Sequence, residues 1–178
     1  MELIDRVDIN DQIIGVTNRV EAHKNGYIHR VSAVFVFNRD NKLLVQLRKK
    51  DGLFDHSVGG HVNKGESYDD AAARESKEEL GIARKLKKVG IFYGDEIVPN
   101  RNSKIDHYIG LYEVKITDED AKKMIMAEDE VEKIIPMSLN DVAEDMKNNS
   151  DKYTTGFMRT LNFYISKHKL EIPPVEVK

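Results

Sequence analysis

The pattern of hydrophobic and polar positions predicts strands through much of the chain, with one long helix in the middle and further helices towards the end. The strongest strand signal is the nearly continuous apolar run from Val31 to Phe37. A run this apolar suits a strand in the middle of a sheet that is covered on both faces. The other predicted strands cover residues 2–9, 13–16, 43–47, 86–97, 105–116 and 130–136.

Several shorter stretches carry helix signals. A short polar helix or turn is predicted from Asn18 to Lys24, and capping-box sequences begin at Thr117 and Ser138. Apolar residues recur at helical spacing from Phe157 to Ile165, a stripe that is more typical of a core than of a cofactor pocket. Polar loops are predicted at residues 49–56 and 99–104, and a loose tail after about residue 170.

The stretch from Gly59 to Ile82 reads GGHVNKGESYDDAAARESKEELGI and combines a glycine-containing loop with the longest predicted helix. Glu66-Ser67 opens this helix, Asp69-Asp70 places negative charge in its first turn, and Gly81 suits a left-handed end. The upstream glycines allow the backbone to approach a ligand closely. Its predicted core-facing residues are Ala72, Ala73, Ser76 and Leu80.

Three carboxylates give this helix its candidate chemistry. Glu75, Glu78 and Glu79 stand at positions i, i+3 and i+4, so their side chains share one helix face. Carboxylates this close repel one another unless cations neutralise them. Hard oxygen ligands of this kind suit Mg²⁺ or Mn²⁺. The sequence therefore predicts a divalent-metal site on this face.

Composition narrows the class of protein and its possible binding partners. The 178 residues are 40% hydrophobic and 33% charged, which is typical of a soluble globular domain. The net charge of −3 lacks the basic excess expected of a protein that binds a nucleic-acid polymer. No apolar run is long enough for a membrane span, and no signal-peptide pattern is present. The absence of cysteine excludes disulfides and thiol chemistry. We expect one domain over residues 1–178, a cytoplasmic location, and a monomer or homodimer.

Residues 60–82 resemble the Nudix box, the signature of the Nudix hydrolase superfamily. One departure is Ser76, where that family usually has an aliphatic residue. The resemblance implies an α+β fold, a Nudix-type α/β/α sandwich around a central mixed β-sheet, with the box helix at one edge of the cleft. The residues in register with the box are Gly60, Glu66, Arg74, Glu75, Glu78, Glu79 and Gly81.

The resemblance also implies roles for these residues. Glu75, Glu78 and Glu79, helped by the carbonyl of Gly59 or Gly60, are expected to hold Mg²⁺ or Mn²⁺. Glu78 or Glu79 is also a candidate for relaying a proton. Arg74 is expected to orient a neighbouring carboxylate, with Glu66 or Glu78 as its partner. The expected substrate is a small molecule with a diphosphate linkage, of the nucleoside-diphosphate-linked type.

The flanking segments resemble the isopentenyl-diphosphate isomerase branch of this superfamily. In that branch, histidines matching His23, His29 and His61 bind a metal, and a loop cysteine performs the allylic proton transfer. Gly59 occupies the cysteine position here, and a glycine cannot supply an acid or a base. One glutamate of that branch aligns with His107. The complete box carboxylate set therefore favours hydrolysis over isomerisation.

Several alternatives remain open at this stage. The chain could be an isopentenyl-diphosphate delta-isomerase, or a nucleotide-binding Nudix module without catalysis. His23, His29 and His61 are candidates for a second, nitrogen-rich metal site. The alternative for His23 and His29 is capping or hydrogen bonding around the N-terminal segment. Arg48 and His61 are candidate substrate contacts.

Overall fold

The computed structural model describes residues 2–98, 103–127 and 129–177, without the side chains of residues 95–98 and 103–105. Its sheet is built around β3, the apolar run that the sequence predicts as a central strand. β3 pairs with the parallel strand β8 along its whole length, from His29 opposite His107 to Phe37 opposite Lys115. The described strands are β1 (Leu3–Val7), β2 (Ile13–Asn18), β3 (His29–Phe37), β4 (Leu43–Arg48), β5 (Phe54–Asp55), β6 (Val58–His61), β7 (Lys87–Val98), β8 (Ser103–Lys115) and β9 (Val131–Met137).

The other described strand pairings are antiparallel. β1 joins β2 to β3, β6 pairs with β3, β7 with β8, and β4 with β3, β5 and β9. The single parallel pairing makes the sheet mixed, as predicted. Two short strands, β5 and β6, lie where the sequence predicts loops. Of the predicted loop at residues 99–104, residues 99–102 lie outside the described residues.

Helices cover both faces of this sheet and complete the predicted α/β/α sandwich. The helix α2 packs on one face against Val34, Val36 and Tyr112. On the other face, two C-terminal helices pack against Phe35 and Leu111. Burying a large side chain such as Phe35 contributes about 2–3 kcal/mol. The described helices are α1 (Arg19–Asn25), α2 (Tyr68–Leu80), α3 (Asp118–Lys123), α4 (Leu139–Asn148) and α5 (Thr155–His168), with a 3₁₀ turn at Ser150–Lys152.

The local helix signals were accurate. Ser67, Thr117 and Ser138 each accept a hydrogen bond from a backbone N–H in the first turn of α2, α3 and α4. Gly81 ends α2 with φ +66°, a left-handed conformation that glycine adopts without strain. α3 ends at Lys123, earlier than its predicted end near Met126.

Two expectations about packing were wrong. Ala73 is exposed on α2, and Ala71 takes its predicted place in the core. The tail is held rather than loose, because Val175 is 5% exposed and packs into the core on the α4 and α5 face. The Val175 backbone N–H donates to the side chain of Asn162 at 2.8 Å, and that side chain donates back to the Val175 carbonyl at 2.8 Å. Among the described helices, none is long and apolar enough to cross a membrane.

Candidate active site and metal centres

The candidate site forms where β6 lies against α2. β6 runs antiparallel to β3, with Gly60 opposite Ser32 and His61 opposite Val31. The sequence predicted a loop here because two consecutive glycines are poor strand formers. Gly60 allows a close approach, since a β-carbon at this position would overlap the carboxylate of Glu75 as it is placed here. The backbone of β6 therefore lies directly against the acidic face of α2.

Arg74 connects the residues of the box. Its guanidinium donates to both carboxylate oxygens of Glu66, at 2.9 and 3.0 Å, and to Glu75 at 2.7 Å. It also donates to Glu78 at 3.2 Å and to the carbonyl of His61 at 2.9 Å. These contacts use the planar fork of arginine in a way that lysine cannot reproduce. Arg74 thus orients neighbouring carboxylates, which is the arrangement expected from the sequence.

Glu66 braces the loop before α2. One of its oxygens accepts the backbone N–H of Asn63 at 2.9 Å, in addition to the two bonds from Arg74. Burial alone would raise the pKa of Glu66, but the hydrogen bonds from Arg74 and Asn63 outweigh it and lower the pKa. Glu66 is therefore held as a carboxylate whose acceptor capacity is already used within the protein.

The three candidate metal ligands differ in exposure. Glu78 is 59% exposed, whereas Glu79 is 5% exposed and accepts the backbone N–H of Gly59 at 3.3 Å. Burial, followed by repulsion from Glu75, raises the pKa of Glu79 to about 8. Burial also raises the pKa of Glu75. Two neighbouring carboxylates that are costly to ionise without a counter-ion fit the donor set of a divalent cation.

Four histidines meet at one end of the sheet. His29 on β3 and His107 on β8 are brought together by the parallel pairing, His61 ends β6, and His23 lies on α1. The ring centroids of His29 lie 4.4 Å from His107, 5.1 Å from His61 and 5.2 Å from His23. One nitrogen from each of His23, His29 and His61 falls within 4.8 Å of the others. We call these four residues the histidine cluster.

The protonation states in the histidine cluster suit metal ligation. The Nδ1 of His29 lies 2.8 Å from the carbonyl of Tyr27, so Nδ1 carries the proton and Nε2 keeps a lone pair. The Nε2 atoms of His29 and His107 are buried without a hydrogen-bond partner. Burial lowers the pKa of His29 and His107, and lowers that of His61 to about 2. The Nε2 atoms of His23 and His61 lie 3.1 Å apart, close enough for a hydrogen bond or for binding one ion. Neutral imidazoles with the unused Nε2 atoms of His29 and His107 fit a nitrogen-rich metal centre.

The two candidate centres are neighbours in the chain and in space. Gly60 borders the carboxylate of Glu75, and the next residue, His61, contributes its ring to the histidine cluster and its carbonyl to Arg74. The sequence suggested His23, His29 and His61 as possible ligands. It gave no independent signal for His107, because the pairing that brings His107 to His29 joins distant parts of the chain.

Arg48 is engaged within the protein. Its guanidinium donates to Asp55 at 2.7 Å and to Asp51 at 3.0 Å, and only 17% of its side chain is exposed. This pairing argues against the predicted contact between Arg48 and a phosphate group, which stays a prediction. The arginine instead ties the loop after β4 to β5.

Asp55 and His56 form a buried unit that the sequence did not single out. The Nδ1 of His56 lies 2.7 Å from Asp55, and its Nε2 lies 2.9 Å from the hydroxyl of Thr160 on α5. The Thr160 hydroxyl donates to the carbonyl of Gly156 at 2.8 Å. Because that proton is committed to the helix backbone, Thr160 is not arranged as a nucleophile. The unit instead fastens α5 to β5 beside the site.

Gly59 leaves room for a side chain at the position of the isomerase cysteine. A β-carbon there would lie 3.7 Å from the Nδ1 of His56 and 3.8 Å from the carbonyl of Ser32, which are ordinary contact distances. The backbone does not require glycine here through a positive φ angle. The missing cysteine is therefore a chemical difference and is not imposed by packing.

Comparison with known proteins agrees with this geometry. Residues 27–157 match the NUDIX domain family. The chain is 32% identical over 169 residues to "Isopentenyl-diphosphate Delta-isomerase 2" of Photorhabdus laumondii, covering 90% of this chain and 91% of that protein. It is 30% identical to an uncharacterized Nudix hydrolase of Clostridium acetobutylicum, covering 88% and 80% of the two chains.

Solved structures show the same fold. The crystal structure of DR0079 from Deinococcus radiodurans superposes with a TM-score of 0.66 at 22% identity, covering 82% of this chain and 88% of that one. The MutT protein of Methanosarcina mazei superposes with a TM-score of 0.58 at 15% identity, covering 80% and 94%. The family match covers residues 27–157, which include the box residues of α2. This chain belongs to the Nudix family, in the branch that resembles isopentenyl-diphosphate isomerases.

Proposed function

We propose that this protein is a metal-dependent Nudix pyrophosphohydrolase that cleaves a diphosphate linkage in a small molecule, of the nucleoside-diphosphate-linked type. One observation carries the proposal: the complete carboxylate set Glu75, Glu78 and Glu79 lies beside Gly59, where an isomerase would have its cysteine. The acidic face can support phosphoanhydride chemistry, whereas Gly59 cannot exchange a proton with a carbon–carbon double bond.

The residues that would hold the divalent ion, Mg²⁺ or Mn²⁺, are Glu75, Glu78 and Glu79, with the carbonyl of Gly60. When bound, such an ion neutralises phosphate charge and makes a water molecule a better nucleophile. Arg74 positions Glu75 and Glu78 through its two bonds from Nη1. Glu78, the exposed carboxylate, is the candidate for accepting a proton from the attacking water, and Glu79 is the alternative.

We infer a second role for the histidine cluster as a nitrogen-rich metal centre. Its support is the pair of buried Nε2 atoms on His29 and His107 without partners, together with the fixed tautomer of His29. Imidazole nitrogens, with His29, His61 and His107 held neutral by burial, favour a borderline metal such as Zn²⁺ over Mg²⁺, which prefers oxygen ligands. His61 is then a ligand of this centre. It would contact a substrate only because it follows Gly60, which borders the box carboxylates.

Metal analysis of tag-free protein tests the histidine centre. We expect zinc or another transition metal to be retained through dialysis, and the His107→Asn variant to lose it while the box carboxylates are unchanged. No retained metal, and no thermal stabilisation by added Zn²⁺, would contradict the inference. Mg²⁺-dependent hydrolysis is measured separately, so a negative result for one metal centre leaves the inference about the other unchanged.

The isomerase remains the second candidate, because the similarity to "Isopentenyl-diphosphate Delta-isomerase 2" spans nearly the whole chain and the histidine cluster fits a metal. The two functions differ in their products. Isopentenyl diphosphate would give its allylic isomer without phosphate release under the second candidate. We expect no such isomer from this chain.

A substrate panel tests the proposal directly. Nucleoside diphosphate derivatives and isopentenyl diphosphate are incubated with Mg²⁺, and phosphate, nucleoside monophosphate and allylic product are measured. We expect hydrolysis products, and a loss of roughly 10²- to 10⁴-fold in rate for Glu78→Gln. The matched control is Glu144→Gln, an exposed glutamate on α4 away from the site. A near-normal rate in Glu78→Gln would remove this carboxylate from the mechanism.

We expect the protein to act on a free metabolite in the cytoplasm, as a monomer or homodimer. Light scattering of purified protein measures the oligomeric state. The third candidate function is a nucleotide-binding module without catalysis. It predicts that one of the tested compounds binds without being converted to product.

A further inference from the structure

A cavity lies on the opposite face of the sheet from α2. It has a volume of about 600 Å³ and opens between the ends of β3 and β8, the N-terminal end of α4, and α5. Phe37 and Glu113 belong to the face that packs against α4 and α5, whereas the box carboxylates stand on α2. A volume of this size falls in the range of small-molecule sites, roughly 300–1,000 Å³.

The cavity is remote from the histidine cluster. His29 and His107 face each other at one end of the β3–β8 pair, and Phe37 and Lys115 face each other at the other end. Eight residues at about 3.3 Å each separate the two ends by roughly 26 Å. The cavity is thus a separate site.

The rim of the cavity is cationic. Four cations, Arg84, Lys85, Lys87 and Lys115, and a single carboxylate, Glu113, line it, although the whole chain has a net charge of −3. We call this site the cationic cavity. A concave wall with one sign of charge concentrates ions of the other sign.

Two of the four cations keep their charge available to a ligand. Arg84 pairs with Asp120 at 2.7 Å, and Lys87 pairs with Glu113 at 2.6 Å. Lys115 donates to the neutral side chain of Asn41 at 2.6 Å, which leaves its charge uncompensated. Within residues 2–98, 103–127 and 129–177, Lys85 has no hydrogen-bond or ion-pair partner.

The single carboxylate is already saturated by the protein. Glu113 accepts from Lys87 at 2.6 Å and from the hydroxyl of Tyr164 at 2.6 Å, and it lies 3.5 Å from the ring nitrogen of His168. Burial alone would raise the pKa of Glu113, but the hydrogen bonds from Lys87 and Tyr164 outweigh it and lower the pKa. Glu113 thus stays ionised, and its ion pair with Lys87 reduces the repulsion that it exerts on an anion.

The floor of the cavity is apolar and partly aromatic. Phe37, Leu139 and Tyr164 line it, and the ring centroids of Phe37 and Tyr164 lie 5.8 Å apart. Such a surface binds a flat ring system through burial of apolar area, while the lysines at the rim bind an anion. The lysines and the apolar residues line the same cavity.

We propose that the cationic cavity binds a small anionic molecule whose phosphate or similar group is joined to an apolar ring, as in an aryl phosphate or a nucleotide. The anionic group lies against Lys85 and Lys115, and the ring lies against Phe37, Leu139 and Tyr164. This site is independent of the proposed hydrolysis, because none of its residues belongs to the box.

Fluorescence titration with 1-naphthyl phosphate tests the proposal. Excess EDTA is present to empty both metal centres, and the absence of tryptophan from the chain leaves the naphthyl signal clear. We expect one saturable site in the wild type. Inorganic phosphate, which lacks the ring, and 1-naphthol, which lacks the charge, should each bind at least about tenfold more weakly.

Charge-reversal variants locate the site. Lys85→Glu/Lys115→Glu should weaken 1-naphthyl phosphate binding at least about tenfold, and the neutral Lys85→Gln/Lys115→Gln should give a smaller loss. The matched control, Lys147→Glu/Lys152→Glu, changes the net charge equally at exposed lysines on α4 and the following 3₁₀ turn. Its affinity should stay within about twofold of the wild type.

Three results would overturn the proposal. The first is the absence of saturable binding in the wild type. The second is an equal loss of affinity in the two glutamate double variants, which would indicate non-specific attraction. The third is a phosphate or naphthol affinity equal to that of 1-naphthyl phosphate, which would show that the two halves do not act together. Circular dichroism of each variant confirms that it is folded.

Discussion

Gly59 and Gly60 are neighbours in β6, yet a side chain has different consequences at each position. At Gly59 a β-carbon would make ordinary contacts with His56 and Ser32. At Gly60 it would overlap the carboxylate of Glu75. Because that carboxylate ends a flexible side chain, it can move aside at little cost to the fold. It would then lie away from its place among the candidate metal ligands.

We therefore predict that Gly60→Ala separates activity from stability. The melting temperature should change by only a few degrees, while Mg²⁺-dependent activity should fall at least about tenfold, because Glu75 is displaced. Gly59→Ala is the matched control and should retain activity within about threefold. Thermal unfolding and metal titrations of both variants provide the measurement. Equal activities for the two alanine variants would show that Glu75 needs no fixed position.

At the scale of elements, the Asp55–His56 unit joins β4, β5 and α5. Asp55 accepts hydrogen bonds from the Arg48 guanidinium at 2.7 Å and from the Thr154 hydroxyl at 2.9 Å. The Nε2 of His56 lies 2.9 Å from the Thr160 hydroxyl. Burial opposes the ionised form of Asp55, but His56 and Arg48 outweigh it and hold its pKa below the ordinary value. Loss of this carboxylate would leave a buried guanidinium without one of its two counter-ions.

Asp55→Asn should lower the free energy of unfolding by about 3–5 kcal/mol, as expected for breaking a buried ion pair. Asp51 also pairs with Arg48 but is 33% exposed, compared with 16% for Asp55. Asp51→Asn should therefore cost about 1 kcal/mol or less. Urea unfolding of the two variants at pH 7 gives the comparison. Similar losses for both would mean that burial does not set the strength of these pairs.

How much of the structure was predictable depends on the range of the interactions. α2 was predicted with its caps, because Ser67 and Gly81 act on their own helix. β6 was missed, because its pairing with β3 compensates for two glycines that disfavour a strand locally. Ala73 was predicted in the place that Ala71 takes, two positions earlier, since consecutive alanines fit either face.

The same reasoning applies to the candidate site. The contacts of Arg74 with Glu66, Glu75 and Glu78 follow from spacing along one helix and its preceding loop. The proximity of His107 to His29 follows from the β3–β8 register, which no local pattern specifies. The tail was misjudged because Val175 is held by Asn162, a side chain on α5.

At the scale of the whole molecule, the histidine cluster makes stability depend on pH. His29, His61 and His107 have pKa values lowered by burial, so the unfolded chain binds protons that the folded chain does not. The folded state is thus fully stable with respect to these groups above pH 6.5 and loses stability as pH falls below it. Glu79 acts in the opposite sense, because its raised pKa costs stability as pH rises towards about 8.

We predict that metal-free protein loses about 1.4 kcal/mol per pH unit below pH 6.5 for each histidine held neutral. His107→Asn should show a shallower slope, because one of these groups is removed. Urea unfolding in EDTA between pH 5 and 7.5 measures the slopes, and Glu79→Gln in both backgrounds cancels the opposing contribution. Parallel slopes for the wild type and His107→Asn would show that His107 is protonated in the folded state.

The parallel register of β3 and β8 also has a kinetic consequence. Its partners are 78 residues apart in the chain, from His29 opposite His107 to Phe37 opposite Lys115, and such pairings form late because a long loop must close before any contact is gained. The histidines of the cluster, drawn from α1, β3, β6 and β8, meet only after that closure. The absorption spectrum of Co²⁺ changes with its coordination and would therefore report when this late step of folding takes place. A nascent chain that has not yet emerged past β8 would bind the ion poorly.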